Sequence, residues 1–291
     1  MHALDTALRL TLRSPGHFRA LAPEHYWNMV GPYGGITAAM LLNAVLRDDR
    51  TIGEPLVLTV NYCAPVRAGP VDIVLRLART NRTTQHWRVE MRQPPAADED
   101  ADNDDGDGAA GAGNGADGTG TAAEATTVAQ AQVVTGMRRD RWSLPAANPP
   151  GLPPPETLKR RQPREGIRWF EHYDIRLATN PMKSEDPAAP VLSWLRDDPP
   201  RPLDYPALAG LADTFFPGIF AHRKAVVPIA TVSMNVYFHT TAGELRAIGS
   251  DWLSGRTRSN VFRGGFFDCE SQIWHRDALI ATTQQAVWYR D

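Results

Sequence analysis

Leu58-Thr59-Val60-Asn61-Tyr62-Cys63 alternates apolar and polar side chains, the period of a half-buried strand, and leads to Ala68-Gly69. The pattern returns 174 residues later as Val232-Ser233-Met234-Asn235-Val236-Tyr237, leading to Ala242-Gly243. At the same offset Arg82-Thr83 lies over Arg256-Thr257, and Asn61, Ala68, Gly69, Arg82 and Thr83 meet identical residues. A period this long excludes a solenoid and points to one α+β unit duplicated and fused.

Working outward, each copy reads as strand, short extended stretch, buried helix and four antiparallel strands. In the first copy Ala7–Arg13 alternates as a strand and Tyr26-Trp27 sits in an extended stretch. Gly34-Gly35 opens a helix over residues 36–46 that is apolar on nearly every face. Strands are expected at Leu56–Cys63, Val71–Ala78, His86–Met91 and Thr127–Val134. The second copy repeats this with Ile167–Leu177, Val191–Leu195, a helix over Pro206–Phe220, and strands at Thr231–Phe238, Leu245–Trp252, Ser259–Phe267 and Leu279–Trp288. An apolar helix must be covered on most sides, which a curled antiparallel sheet does. Two such sheets joined edge to edge also remove exposed edges. The expected organisation is a first repeat over residues 1–142, a Pro-rich linker over 143–166 holding seven prolines, and a second repeat over 167–291. Residues 96–125, with seven Asp, two Glu and no basic residue, read as a disordered acidic insert in the first repeat.

Composition narrows function. The 291-residue chain carries a net charge of −2, but without the acidic insert it holds 31 basic and 24 acidic side chains, a body suited to an anionic ligand. No apolar run approaches the roughly 18–20 residues that span a bilayer, and Met1–Arg13 lacks a signal-peptide pattern, so the chain reads as soluble, cytoplasmic and without membrane insertion. No arginine-rich stripe with aromatics suggests nucleic acid. No Gly-x-Ser-x-Gly elbow, Gly-rich nucleotide loop or metal-ligand pair of histidines is present, and no metal or cofactor is expected. Cys63 and Cys269 lie in strand-like runs and read as small buried apolar side chains.

The order of elements resembles the hotdog fold, and the duplication resembles its double-hotdog form, an α+β architecture of two tandem sheets each wrapped around a central helix. Three segments of the second repeat are similar to the type II acyl-CoA thioesterase family. These are Pro202-Leu203-Asp204 with Ala207–Asp213, Ile229–Met234, and Leu279–Gln285. Gly34-Gly35 is similar to a Gly-Gly of that family. The resemblance implies hydrolysis of an acyl-CoA thioester by water held on Asp213, Thr231 and Gln285. It also implies a homo-oligomer, a dimer of double hotdogs.

The residue chemistry agrees. A carboxylate in an apolar helix is costly unless hydrogen-bonded, and an ionised one can serve as a base. A threonine hydroxyl and a glutamine amide each donate and accept. A glycine turn at a helix N-terminus lets a carbonyl approach free N–H groups. Alternatives stay open. Asp213 can be a surface acid, Thr231 a plain strand residue, and Gln284 can replace Gln285 on the inner face. Asn61 and Asn235 are candidates for substrate binding or structural bonding, and Arg82 and Arg256 for turn support or for a CoA phosphate. A non-catalytic acyl-ligand-binding or scaffold protein, and a hotdog hydratase using His222 or His239, are the competing functions.

Overall fold

A computed structural model of the chain describes residues 1–94, 125–162 and 165–290. All but the last residue of the acidic stretch, including every acidic side chain in it, lie outside the described residues.

The described residues begin with α1 (Ala3–Ala7), β1 (Thr11–Ser14) and β2 (His17–Leu21). Then come α2 (Gly34–Leu46), β3 (Glu54–Tyr62), β4 (Pro70–Thr80), β5 (Thr84–Gln93) and β6 (Thr126–Gly136). The second half holds β7 (Tyr173–Leu177), β8 (Val191–Asp197), α3 (Tyr205–Leu211), α4 (Gly218–Arg223), β9 (Ile229–Phe238) and α5 (Ala242–Ile248). It ends with β10 (Leu253–Arg258), β11 (Phe262–Arg263), β12 (Phe266–His275) and β13 (Ala278–Tyr289). The strands form one antiparallel sheet in the order β1-β2-β4-β5-β6-β3-β9-β13-β12-β10-β8-β7, with β11 beside β12. The two quoted runs are its centre: Val57 pairs with Tyr237, Thr59 with Asn235 and Asn61 with Ser233. The halves are thus joined edge to edge, as two hotdogs in one chain.

The helices lie on the inner face. α2 is buried from Gly35 to Val45, which accounts for its apolar character on every side. Leu58, Val60, Met234, Val236 and Phe238 of the central strands are buried in the same apolar core as the helices. α2 and α3 pack closely where Tyr33 donates from its hydroxyl to the Gly210 carbonyl at 3.0 Å.

The linker runs along the second half. Arg256 Nη2 donates to the Asn148 carbonyl, Trp194 Nε1 to that of Pro153, and Arg176 to that of Pro155. Arg160 bridges to Arg176 at the outer edge of β7 and forms an ion pair with Asp198.

Several local expectations are corrected. The strand expected over Ala7–Arg13 is confined to its end, Thr11–Arg13 in β1, because Ala7 closes α1 and Leu8 follows as its cap. The first turn of α1 is capped by His2, whose Nδ1 accepts from the Leu4 amide, and Leu4 and Leu8 bury as a helical pair. Around Tyr26 the chain makes a 3-10 turn, as it does over Arg168–His172 before β7. The helix expected over Pro206–Phe220 breaks into α3 and α4. Pro217 lacks an N–H and restricts Phe216, so one continuous helix cannot pass through it. The strand expected at Leu245–Trp252 is instead α5, started by a capping box in which Thr241 and Glu244 bond reciprocally. The strand expected at Ser259–Phe267 divides among the loop after β10, β11 and the start of β12.

The fixed offset fails with it. Ala68-Gly69 lies in the loop before β4 while Ala242-Gly243 opens α5, and Arg82 occupies the β4–β5 turn while Arg256 lies within β10. The offset therefore preserves side-chain parity between β3 and β9 but not the elements that follow. Because α5 depends on its box, Thr241→Ala is expected to cost about 1 kcal/mol. A lowered urea midpoint with an unchanged slope checks this.

Candidate active site

Gln285 is the hub of the site. It lies in β13 opposite Met234, so it faces the helices, whereas Gln284 pairs with Asn235 and is exposed. Its Nε2 donates to Asp213 Oδ1 at 2.9 Å, and its Oε1 accepts from the Thr231 hydroxyl at 3.3 Å.

Thr231 reaches it through an irregularity. On plain alternation, Thr231 stands three residues from inward-facing Met234 and belongs on the outer face. The β9–β13 register shifts between Ala286 and Val287, so that Ser233 pairs with Ala286 but Thr231 with Val287, leaving Val232 as the extra residue. This bulge turns Thr231 inward, the re-aiming that bulges provide.

Asp213 is placed by the break after α3 rather than by the helix. Its amide donates to the Gly210 carbonyl at 3.3 Å, and Thr214 caps the same end by donating from its hydroxyl to Leu211. The carboxyl keeps partial exposure to a cavity, while loss of water around the rest pushes its pKa up to about 7. The Gln285 amide and the Gly35 backbone N–H oppose that rise.

Gly34 and Gly35 leave the room this needs. A Cβ on Gly34 would stand 2.8 Å from Asp213 Oδ2, and one on Gly35 would stand 2.5 Å from the Gly210 carbonyl oxygen. The first turn of α2 from one half therefore meets the carboxylate of the other half with no side chain between them.

The three side chains line a cavity of about 610 Å³ whose walls include Trp169, Phe170, Phe215, Phe220, Phe267 and Val287. Gly34 lines it too. Asn61, Asn235 and Arg256 do not. Asn61 and Asn235 alternate onto the outer face of the central strands, where Asn235 accepts from the Thr59 hydroxyl at 2.7 Å. Arg256 points outward and holds the linker. Recurrence of the two asparagines follows the strand pattern of β3 and β9 rather than the cavity.

Cys63 is also corrected. It is exposed and borders the cavity, because β3 ends at Tyr62 and the chain bends there, whereas Cys269 is buried as expected. Sequence reasoning also missed Tyr62, which lines the cavity and donates to the Gly34 carbonyl. Its one signal was inward parity with Leu58 and Val60. Among the described residues, no three His, Cys, Asp or Glu side chains gather in a metal-ligating group. No described helix is long and apolar enough to cross a membrane.

Residues 23–99 match the acyl-CoA thioesterase N-terminal domain, and residues 146–289 match the acyl-CoA thioesterase C-terminal domain. No curated protein sequence matches the chain. A hot dog fold protein of unknown function from Alicyclobacillus acidocaldarius is 36% identical, covering 100% of this chain and 99% of that one, with a TM-score of 0.85. Acyl-CoA thioesterase II TesB2 from Mycobacterium marinum has the same fold, with 18% identity, 99% and 98% coverage and a TM-score of 0.72. The tesB protein of Mycobacterium avium subs paratuberculosis has it at 21% identity, 99% and 98% coverage and a TM-score of 0.69. The matched domains stand in the family's order across both halves of the sheet, and the chain belongs to the acyl-CoA thioesterase family with a double hotdog fold.

Proposed function

We propose that this protein hydrolyses an acyl-CoA thioester to a carboxylic acid and CoA, with Asp213, Thr231 and Gln285 holding the attacking water. The observation that carries this reading is the Gln285 amide, which bonds to Asp213 on one side and Thr231 on the other at the wall of an apolar cavity. The acyl chain occupies the apolar part. Asp213 takes a proton from water as the new C–O bond forms. Negative charge then develops on the carbonyl oxygen, where the Gly34 N–H at the start of α2 stabilises it, since Ile36 and Thr37 donate to the Tyr33 carbonyl and Gly35 faces Asp213. As the C–S bond breaks, the proton on Asp213 passes to the thiolate.

A base with a pKa of about 7 suits both transfers, since it accepts and returns a proton at small cost near neutral pH. The competing readings find less support. Asp213 faces the cavity rather than open solvent, against a purely binding role. Among the described residues that line the cavity there is no histidine, against a His-dependent hydratase. His239 instead bonds to Thr282, and the His222 ring lies tilted against Phe262.

Thiol release measured across a panel of acyl-CoAs tests the proposal, and no release from any of them would refute it. The pH dependence is specific. Asp213 acts as its anion, so kcat/KM should fall about tenfold per pH unit well below pH 7 and level off above it. Gln285→Ala removes a donor that favours the anion. It should lower kcat/KM by about tenfold or more and move the acid limb to higher pH. Thr231→Val should lower kcat as well. The double variant should fall short of the product of the two losses, since both residues hold one water.

A further inference from the structure

Tyr62 is the last residue of β3 and comes from the half of the chain that supplies none of the three side chains above. Its hydroxyl donates to the Gly34 carbonyl oxygen at 2.9 Å. Its ring carbon and hydroxyl oxygen each lie 3.3 Å from the point a Gly34 Cβ would occupy, and Asp213 Oδ2 lies 2.8 Å from the same point. The carbonyl that Tyr62 holds and the N–H that faces Asp213 are two ends of one peptide unit. The Gly34 C=O and the Gly35 N–H share a plane and, in a trans peptide, point in opposite directions.

We propose that Tyr62 is a positioning residue of this site, pinning the Gly34 carbonyl and so aiming the Gly35 N–H at the Asp213 carboxylate. The need for a clamp follows from the sequence. Two consecutive glycines give this peptide no side chain to fix its orientation, and glycine samples more backbone conformations than any other residue. Donation to the carbonyl also polarises the peptide and strengthens the N–H as a donor. Tyr62 itself is anchored by the β3–β6 ladder, where it pairs with Ala129.

The groups facing Asp213 are simple enough for a clean test. Tyr33 comes from the start of α2, Tyr62 from β3, Tyr173 from β7 and Cys269 from β12. Burial pushes each to a higher pKa, so all four stay neutral while Asp213 titrates. Arg161 also lines the cavity and keeps its charge throughout.

Tyr62→Phe keeps the ring and removes the clamp. The catalytic arm of the test rests on the hydrolase reading above; the titration arm does not. In the resting protein, the Asp213 carboxyl band is followed by infrared difference titration and assigned by its loss in Asp213→Asn. In Tyr62→Phe that band should titrate about 0.5–1 pH unit higher than in the parent protein, as expected when a donor to the anion weakens. On the acid limb kcat/KM should fall by about three- to tenfold, remaining within about twofold on the alkaline plateau, with the melting temperature unchanged. An unshifted band overturns the proposal whether or not thioesters are hydrolysed. A loss of rate that is equal at every pH also overturns it, because that is the mark of a merely structural role.

Discussion

Asp213→Asn should lower kcat for thioester hydrolysis by about 10²–10⁴-fold, the loss expected when a general base is removed. The amide occupies the same volume and can still accept from Gln285, so binding of an acyl-CoA should persist. Stability gives an independent check. Burial raises the folded-state pKa of Asp213 from the ordinary 3.8 to about 7. Above pH 3.8 the unfolded chain therefore binds fewer protons at this residue than the folded one. Its contribution to stability then falls as pH rises toward 7 and is constant above. Asp213→Asn should be neutral near pH 3 and stabilising at pH 8, seen as a higher melting temperature with the activity gone. Asp204→Asn is the matched control. Asp204 caps α3, its Oδ1 accepting from the Ala207 amide at 2.8 Å and its Oδ2 from Arg201 at 2.6 Å. Asparagine is an equally good N-cap, so turnover should be nearly unchanged. Full activity in Asp213→Asn, or an equal collapse in Asp204→Asn, would remove Asp213 from the role proposed for it.

Adding one methyl group to each of the two glycines should separate stability from function. Gly35→Ala places a Cβ 2.5 Å from the Gly210 backbone oxygen and 2.6 Å from the Tyr33 ring, where α2 and α3 cross. Backbone cannot give way as a side-chain tip can. Overpacking of this kind costs about 1–3 kcal/mol, which in a chain of this size lowers the melting temperature by roughly 3–10 °C. Gly34→Ala meets only the end of the Asp213 side chain at 2.8 Å and the Tyr62 ring at 3.3 Å. It should leave the melting temperature nearly intact yet displace the carboxylate, and a misplacement of about 1 Å costs near 10²-fold in rate. Calorimetry and thiol release on the two variants test the pair. A stable, active Gly35→Ala protein would show that the helices do not cross as closely as described.

The central strands were legible because alternation over six residues is a strong signal and both copies carry it. α2 was legible because a helix buried on all sides must be apolar on all sides. Two other signals were present and passed over. Thr241-Ala242-Gly243-Glu244 is a capping-box sequence, and it marks α5 where a strand had been expected. Pro217 marks a break that keeps one helix from running through to Phe220. The offset of 174 was carried too far for the same reason: a helix on one side and a plain turn on the other use up residues at different rates.

The sequence by itself determined the duplication, the pairing of apolar helix with antiparallel sheet, and the segments that bring Asp213, Thr231 and Gln285 into consideration. Those properties are local, written in periods of two and 3.6 and in short motifs. Which side chains meet was decided only by the tertiary structure. A bulge at Val232 puts Thr231 on the inner face, and plain alternation puts Asn61 and Asn235 on the outer one. The crossing of α2 and α3 carries the Gly34-Gly35 peptide of one half to the carboxylate of the other. The end of β3 places Tyr62 against that peptide. Each of these contacts joins residues far apart in the chain, and no local pattern encodes a distance that only the closed sheet creates.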